Sequence, residues 1–165
     1  MRTLFYICSR LLTYPNSALL SSLSQLRNQA ESLPEGKYLL MFIDYLSNTD
    51  PIKLQESYVQ TFDFSEDRNL YLSYSMFGVS MERGSELLRL KNLYAGSGME
   101  DNGKELPDYL PTFLRFLSLA EENEYKELLT KYRASIINLA RNVAKASSPY
   151  SLVFDALVEA IGGEV

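Results

Sequence analysis

The sequence predicts an all-α fold, a single-domain bundle of about seven or eight helices running through residues 1–165. Three observations predict it. Apolar residues recur at three- and four-residue steps along almost the whole chain, the period of a helix with one buried face. Prolines and glycines punctuate these runs at their ends, where they start or stop helices. The one stretch with strand-like aromatic content, Leu70-Tyr71-Leu72-Ser73-Tyr74, has no second strand to pair with, so it reads as one or two helical turns.

The elements follow in order. Leu4, Ile7, Cys8, Leu11 and Leu12 define a first amphipathic helix that stops at Tyr14-Pro15, because the residue before a proline is pushed out of the α region. Asn16 is placed to cap a second helix carrying Leu19, Leu20, Leu23, Leu26 and Ala30, which ends at Pro34-Glu35-Gly36. Lys37 to Leu46 is apolar almost all round and belongs at the centre of the bundle. Asp50-Pro51 sets a cap followed by proline at the first helical position, and Leu54, Tyr58 and Phe62 line one side of the fourth helix. The pattern loosens from Asp63 to Ser80.

A clearer helix begins near Ser80, carries Met81, Leu87, Leu88 and Tyr94, and stops at Gly96-Ser97-Gly98. The small, polar stretch 96–104 is expected to be a mobile loop. Asp108 to Ala120 forms the next helix, with Tyr109, Phe113, Leu114, Phe116 and Leu117 on its apolar side. Tyr125 to Val143 gives the strongest helical period of the chain, and a last helix from Ser148-Pro149 buries Val153, Phe154, Leu157, Val158 and Ile161.

Composition excludes much chemistry. The chain has no histidine, the commonest metal ligand and general base, so Ser-His-Asp and Cys-His systems and most zinc sites are ruled out. Cys8 is the only cysteine, which excludes an intrachain disulfide and reads as a small buried hydrophobe. No GxxxxGK[ST], GxGxxG or GxSxG motif is present. The carboxylate groups Asp63 with Glu66-Asp67, and Glu100-Asp101 with Glu105, read as solvated loop charges. Neither catalysis nor a bound metal or cofactor is expected of this chain.

The net charge of -5 argues against nucleic-acid binding, which needs Lys and Arg to neutralise phosphates. It suits a basic peptide partner. Arg10 interrupts the apolar opening, and no run reaches the ~18 consecutive apolar residues of a membrane span. The expectation is a cytoplasmic protein without stable membrane insertion.

Two segments exceed what a plain bundle requires. One gathers Tyr58, Phe62, Asp63, Tyr71 and Tyr74 between residues 58 and 78. The other is Glu105-Leu106-Pro107-Asp108-Tyr109-Leu110-Pro111, a stiff helix entry in which Asp108 serves either as cap or as contact residue.

Taken in order, YVQTFDFSEDRNLYLSY, MERGSELLRLKNLY and ELPDYLP resemble the NarJ family, the delta subunit of respiratory nitrate reductase, within the wider TorD-like chaperones. The resemblance covers roughly residues 4 to 160 and includes the opening LLTYP. It implies an all-helical cytoplasmic chaperone that binds the N-terminal segment of a molybdoenzyme's catalytic (alpha) subunit. Such a chaperone holds that subunit during molybdenum cofactor insertion and delays membrane docking, with cofactor delivery proteins as further partners. A carrier of the molybdopterin cofactor and a structural subunit of the mature oxidoreductase are the rival readings.

By similarity, Glu105, Leu106, Pro107, Asp108, Tyr109, Leu110 and Pro111 are the family's signature and contribute to the peptide-binding region. Tyr58, Phe62, Asp63, Tyr71 and Tyr74 match the other block, which equally well packs the core, and Arg83-Gly84 match its Arg-Gly pair. Val79 and Met81 replace an acidic and a basic residue, and Ser75 replaces a larger ring, so the client is a nitrate reductase or another molybdenum oxidoreductase. On this reading Tyr109 and Phe113 are apolar contacts, and Glu105 and Asp108 pair with arginines of the client.

Overall fold

The computed structural model describes residues 1–99 and 104–163. Among them run ten helices: α1 (Arg2–Leu11), α2 (Ser17–Ser21), α3 (Leu23–Ala30), α4 (Gly36–Asn48), α5 (Pro51–Phe62), α6 (Tyr74–Phe77), α7 (Met81–Gly96), α8 (Leu110–Leu119), α9 (Glu122–Lys145) and α10 (Ser151–Ala160). The expected all-α class holds, with two more helices than the hydrophobic period indicates. One is α6, a single turn. The other arises because the second predicted helix divides at Ser22, whose hydroxyl donates back to the Leu19 carbonyl at 2.7 Å. Such back-bonding competes with the helical ladder and bends it.

The caps lie where local chemistry places them. Asn16 accepts from the Leu19 amide at 3.0 Å, Asp50 from the Ile52 amide at 2.9 Å, and Ser80 from the Arg83 amide at 3.3 Å. Each satisfies an amide that the first helical turn leaves without a partner.

The core is one cluster of buried side chains drawn from most of the helices. Helix α1 packs most extensively on α8, and α4 lies between α3 and α10. The α3–α4 turn is close enough that a Cβ on Gly36 would sit 2.2 Å from the Ala30 carbonyl oxygen. Helix α4 is less enclosed than its composition predicts. Leu39, Phe42, Ile43 and Leu46 are buried, but Lys37, Met41 and Asp44 form a solvent-facing stripe, with Met41 57% exposed. Arg27 of α3 pairs with Asp44 on that face. Cys8 is fully buried. No helix among the described residues is long and apolar enough to cross a membrane.

Candidate functional site

After α5 the chain leaves the helical pattern, and Leu70 to Leu72 run alongside residues 108–110. The Leu72 amide donates to the Asp108 carbonyl at 3.0 Å and the Leu110 amide to the Leu70 carbonyl at 2.7 Å, forming one antiparallel bridge between Tyr71 and Tyr109. This corrects the expectation of a helical turn over 70–74, since helix begins only at Tyr74. The missing partner is the proline-flanked segment. Pro107 has no amide and Pro111 lies in the first turn of α8. The chain turns at 107–108, with the Tyr109 amide on the Leu106 carbonyl at 3.0 Å, and only Tyr109 is extended, so the polar groups on either side of it need partners.

A charged knot lies beneath the bridge. Asp108 is fully buried. Its Oδ2 accepts from the Ser73 hydroxyl at 2.6 Å, the Ser73 amide at 3.1 Å and Arg83 Nη2 at 3.4 Å. Arg83 Nε also donates to the Ser73 hydroxyl at 3.1 Å, and its guanidinium lies 5.5 Å from the centre of the Tyr74 ring. Three sequence blocks that are separate along the chain thus meet at Asp108, Ser73 and Arg83. The capping role for Asp108 is corrected: α8 starts at Leu110, its N-cap Tyr109 makes no side-chain bond, and the carboxylate points inward to Arg83.

A tyrosine-lined acidic rim lies above the knot. The Tyr58 and Tyr109 hydroxyls are 2.8 Å apart, and the Tyr71 hydroxyl donates to Glu105 at 2.6 Å. The Tyr71 and Tyr109 rings pack with centroids 5.6 Å apart. Burial pushes the Tyr109 phenol up to about 12. Desolvation first, and the neighbouring Glu105 second, raise the Asp63 carboxyl above its usual range. No ion pair among the described residues involves Asp63 or Glu105.

The predicted site residues divide by exposure. Glu105, Asp63 and Leu106 are exposed, Tyr71, Tyr74, Pro107, Tyr109 and Arg83 are half-buried, and Leu110, Pro111 and Phe62 are buried. Tyr58 and Phe62 meet Tyr150 edge to face, with centroids 5.8 and 4.9 Å away, so their rings pack the core. Phe113 is fully buried against Tyr132, 5.0 Å between centroids. Phe113 and Asp108 are both fully buried here, not at the surface where the contact reading expects them. The turn of α8 that carries Phe113 faces the core. Glu100 and Asp101 lie outside the described residues, as does part of the 96–104 loop.

Two clefts flank the rim. One of about 860 Å³ lies beside α1 and includes Tyr6, Arg10, Tyr14, Glu105 and Tyr109. The other, about 610 Å³, lies beside α9 and includes Asn69, Tyr71, Tyr74, Asn138 and Asn142. No group of three or more acidic or cysteine side chains that could hold a metal occurs among the described residues.

Sequence reasoning missed Ser73 and Glu86. Glu86 is 7% exposed on α7 and binds Arg89, Lys131 and the Tyr132 hydroxyl. Burial raises its pKa, but these hydrogen bonds together outweigh burial and hold it at about 2. A signal existed: Glu86, Leu90 and Tyr94 fall at four-residue steps, so a carboxylate occupies the buried face of a helix.

The fold is a helical bundle that carries a tyrosine-and-carboxylate rim over a buried charged knot. The comparisons make the class specific. The family model of the nitrate reductase delta subunit matches residues 28–154, and the chain belongs to that family. It is similar to the probable nitrate reductase molybdenum cofactor assembly chaperone NarJ of Bacillus subtilis, at 35% identity over 95% of this chain and 87% of that one. It also resembles the nitrate reductase molybdenum cofactor assembly chaperone NarJ of Escherichia coli, at 30% identity over 93% of this chain and 67% of that one. A crystal structure from Archaeoglobus fulgidus assigned to redox enzyme maturation shares the fold. It has a TM-score of 0.74 and 25% identity, covering 98% of this chain and 94% of that one.

Proposed function

We propose that this protein is a system-specific chaperone for a nitrate reductase or related molybdoenzyme. It binds the N-terminal segment of the catalytic subunit in the cytoplasm and assists molybdenum cofactor insertion before membrane docking. The observation that carries the reading is the rim: Glu105 accepts from the Tyr71 hydroxyl, the Tyr71 ring packs on Tyr109, and the pKa of Asp63 is raised by desolvation and then by repulsion from Glu105. A basic residue entering between Asp63 and Glu105 relieves that repulsion. An amphipathic peptide helix carrying arginine supplies it, with the tyrosine rings as apolar and cation-stacking surface. Rim charges of this kind speed encounter and set register, while buried aromatic contacts supply affinity.

Calorimetric titration with a synthetic peptide copying the N-terminal segment of the client's catalytic subunit tests the proposal. Saturable binding near a micromolar dissociation constant, about -8 kcal/mol, supports it. A well-folded sample that gives no heat and no tyrosine fluorescence change would count against it.

A further inference from the structure

Helix α7 is held differently from its neighbours. Of its sixteen residues only Glu86, Leu90 and Tyr94 are buried, and one of these is a carboxylate. In the ten-residue α8, six are buried and all six are apolar. Met81 and Leu88 of α7 are 90% and 60% exposed. Leu90 and Tyr94, with Leu93 half-buried against the core, are its apolar anchors, and polar contacts add to the fastening. These are Arg83 to Asp108 and Ser73, Glu86 to Lys131 and Tyr132, and the Tyr94 hydroxyl donating to the Pro107 carbonyl at 2.8 Å. Polar fastenings can be exchanged for equivalent ones at small net cost, because each trades one set of partners for another.

The surface under α7 is aromatic and acidic. Tyr94 lies on Phe116, 4.9 Å between centroids, and the Tyr132 ring that meets Glu86 rests on Phe113. Asp108 has a spare acceptor, since its Oδ1 is buried without a hydrogen-bond partner in the described structure. Arg83 reaches only Oδ2, through one nitrogen at 3.4 Å. A guanidinium that engages both oxygens of a carboxylate makes a shorter and stronger contact. Arg83 is therefore a weak occupant of a site that a better-placed arginine would fill. Gly78, at φ 56, ends α6 just before α7 and supplies a turn at its N-terminal side.

We propose that α7 is a displaceable helix which, in the free protein, covers the docking surface for the client. This rests on the chaperone reading above. The occupant is an amphipathic helix with an arginine and, on the same face, apolar residues at the positions of Leu90 and Tyr94. Its guanidinium takes the place of Arg83 at Asp108 and engages both carboxylate oxygens. Its apolar face covers Phe116 and Tyr132, and α7 moves aside. Phe113 and Asp108, buried in the free protein, then lie next to the client.

Hydrogen exchange read by mass spectrometry on the whole chain, free and with the client peptide, tests this. In the free protein the α7 amides exchange at least ~10-fold faster than those of α8 and α9, as weakly anchored segments do. Arg83→Gln widens that gap without speeding α8 or α9. Bound peptide speeds α7 further and slows α8 and α9. An α7 as protected as α8 in the free protein overturns the displaceable helix, and needs no variant that might misfold. A peptide that binds yet slows α7 overturns displacement and leaves the chaperone reading standing. A peptide that does not bind removes the chaperone reading, and the client's place under α7 with it.

Discussion

Tyr71 and Tyr109 face one another across a single antiparallel bridge, and that contact joins the two sequence blocks that set this chain apart from a plain bundle. The backbone bonds on either side are 2.7 and 3.0 Å long. Leu72→Pro removes the amide that donates to Asp108 and is expected to cost about 3 kcal/mol or more. A urea titration should show a lower midpoint with an unchanged slope. Equal stability would mean that the bridge contributes nothing.

Asp108 and Glu105 are both carboxylates of the same short segment, yet their substitutions should behave differently. Asp108 is fully buried and bonded to Ser73 and Arg83, so Asp108→Asn is expected to destabilise by about 1.5–3 kcal/mol. Glu105 is exposed at the rim. Glu105→Gln should change stability by no more than about 0.5 kcal/mol while weakening peptide binding and flattening its salt dependence. Both substitutions should weaken peptide binding, but only Asp108→Asn should also lower the melting temperature. Calorimetry at two salt concentrations, with thermal melts of each variant, reads the two effects.

Glu86 ties stability to acid. Its folded pKa of about 2 lies below the ordinary carboxyl value of 4.5, so its contribution is fully present above pH 4.5. It is lost as the pH falls from there toward 2. Glu86→Gln should shallow the acid limb of a stability-against-pH curve over that window. An identical limb in the variant would show that other carboxylates govern acid unfolding.

Asp63 carries the opposite shift. Desolvation and then the charge of Glu105 raise its pKa, so below that raised value it holds a proton that an incoming arginine must expel. Client-peptide affinity is therefore expected to strengthen as pH rises through the carboxylate range. Asp63→Asn should remove part of that dependence. Titrations in buffers of differing ionisation heat report the released proton directly.

Much of the fold was legible along the chain. Helix positions, the Asn16 and Asp50 caps and the burial of Cys8 all follow from local periodicity and capping chemistry. These depend on bonds between residues a few positions apart. The rim was legible in part, because Tyr71, Tyr109, Glu105 and Asp63 stand out by type and grouping.

What the tertiary structure alone decided is how the distant segments meet. Leu70 to Leu72 look unpaired until residues 108–110 come alongside, and ELPDYLP looks like a capped helix start until Asp108 turns inward to Arg83 and Ser73. Whether a carboxylate lies exposed like Glu105 or buried like Asp108 depends on partners far away in sequence. A buried charge is tolerated only where such a partner arrives. Helical structure is settled by interactions within a turn, so the sequence determined it by itself. The exposure and partners of each charge are settled by the whole packed chain.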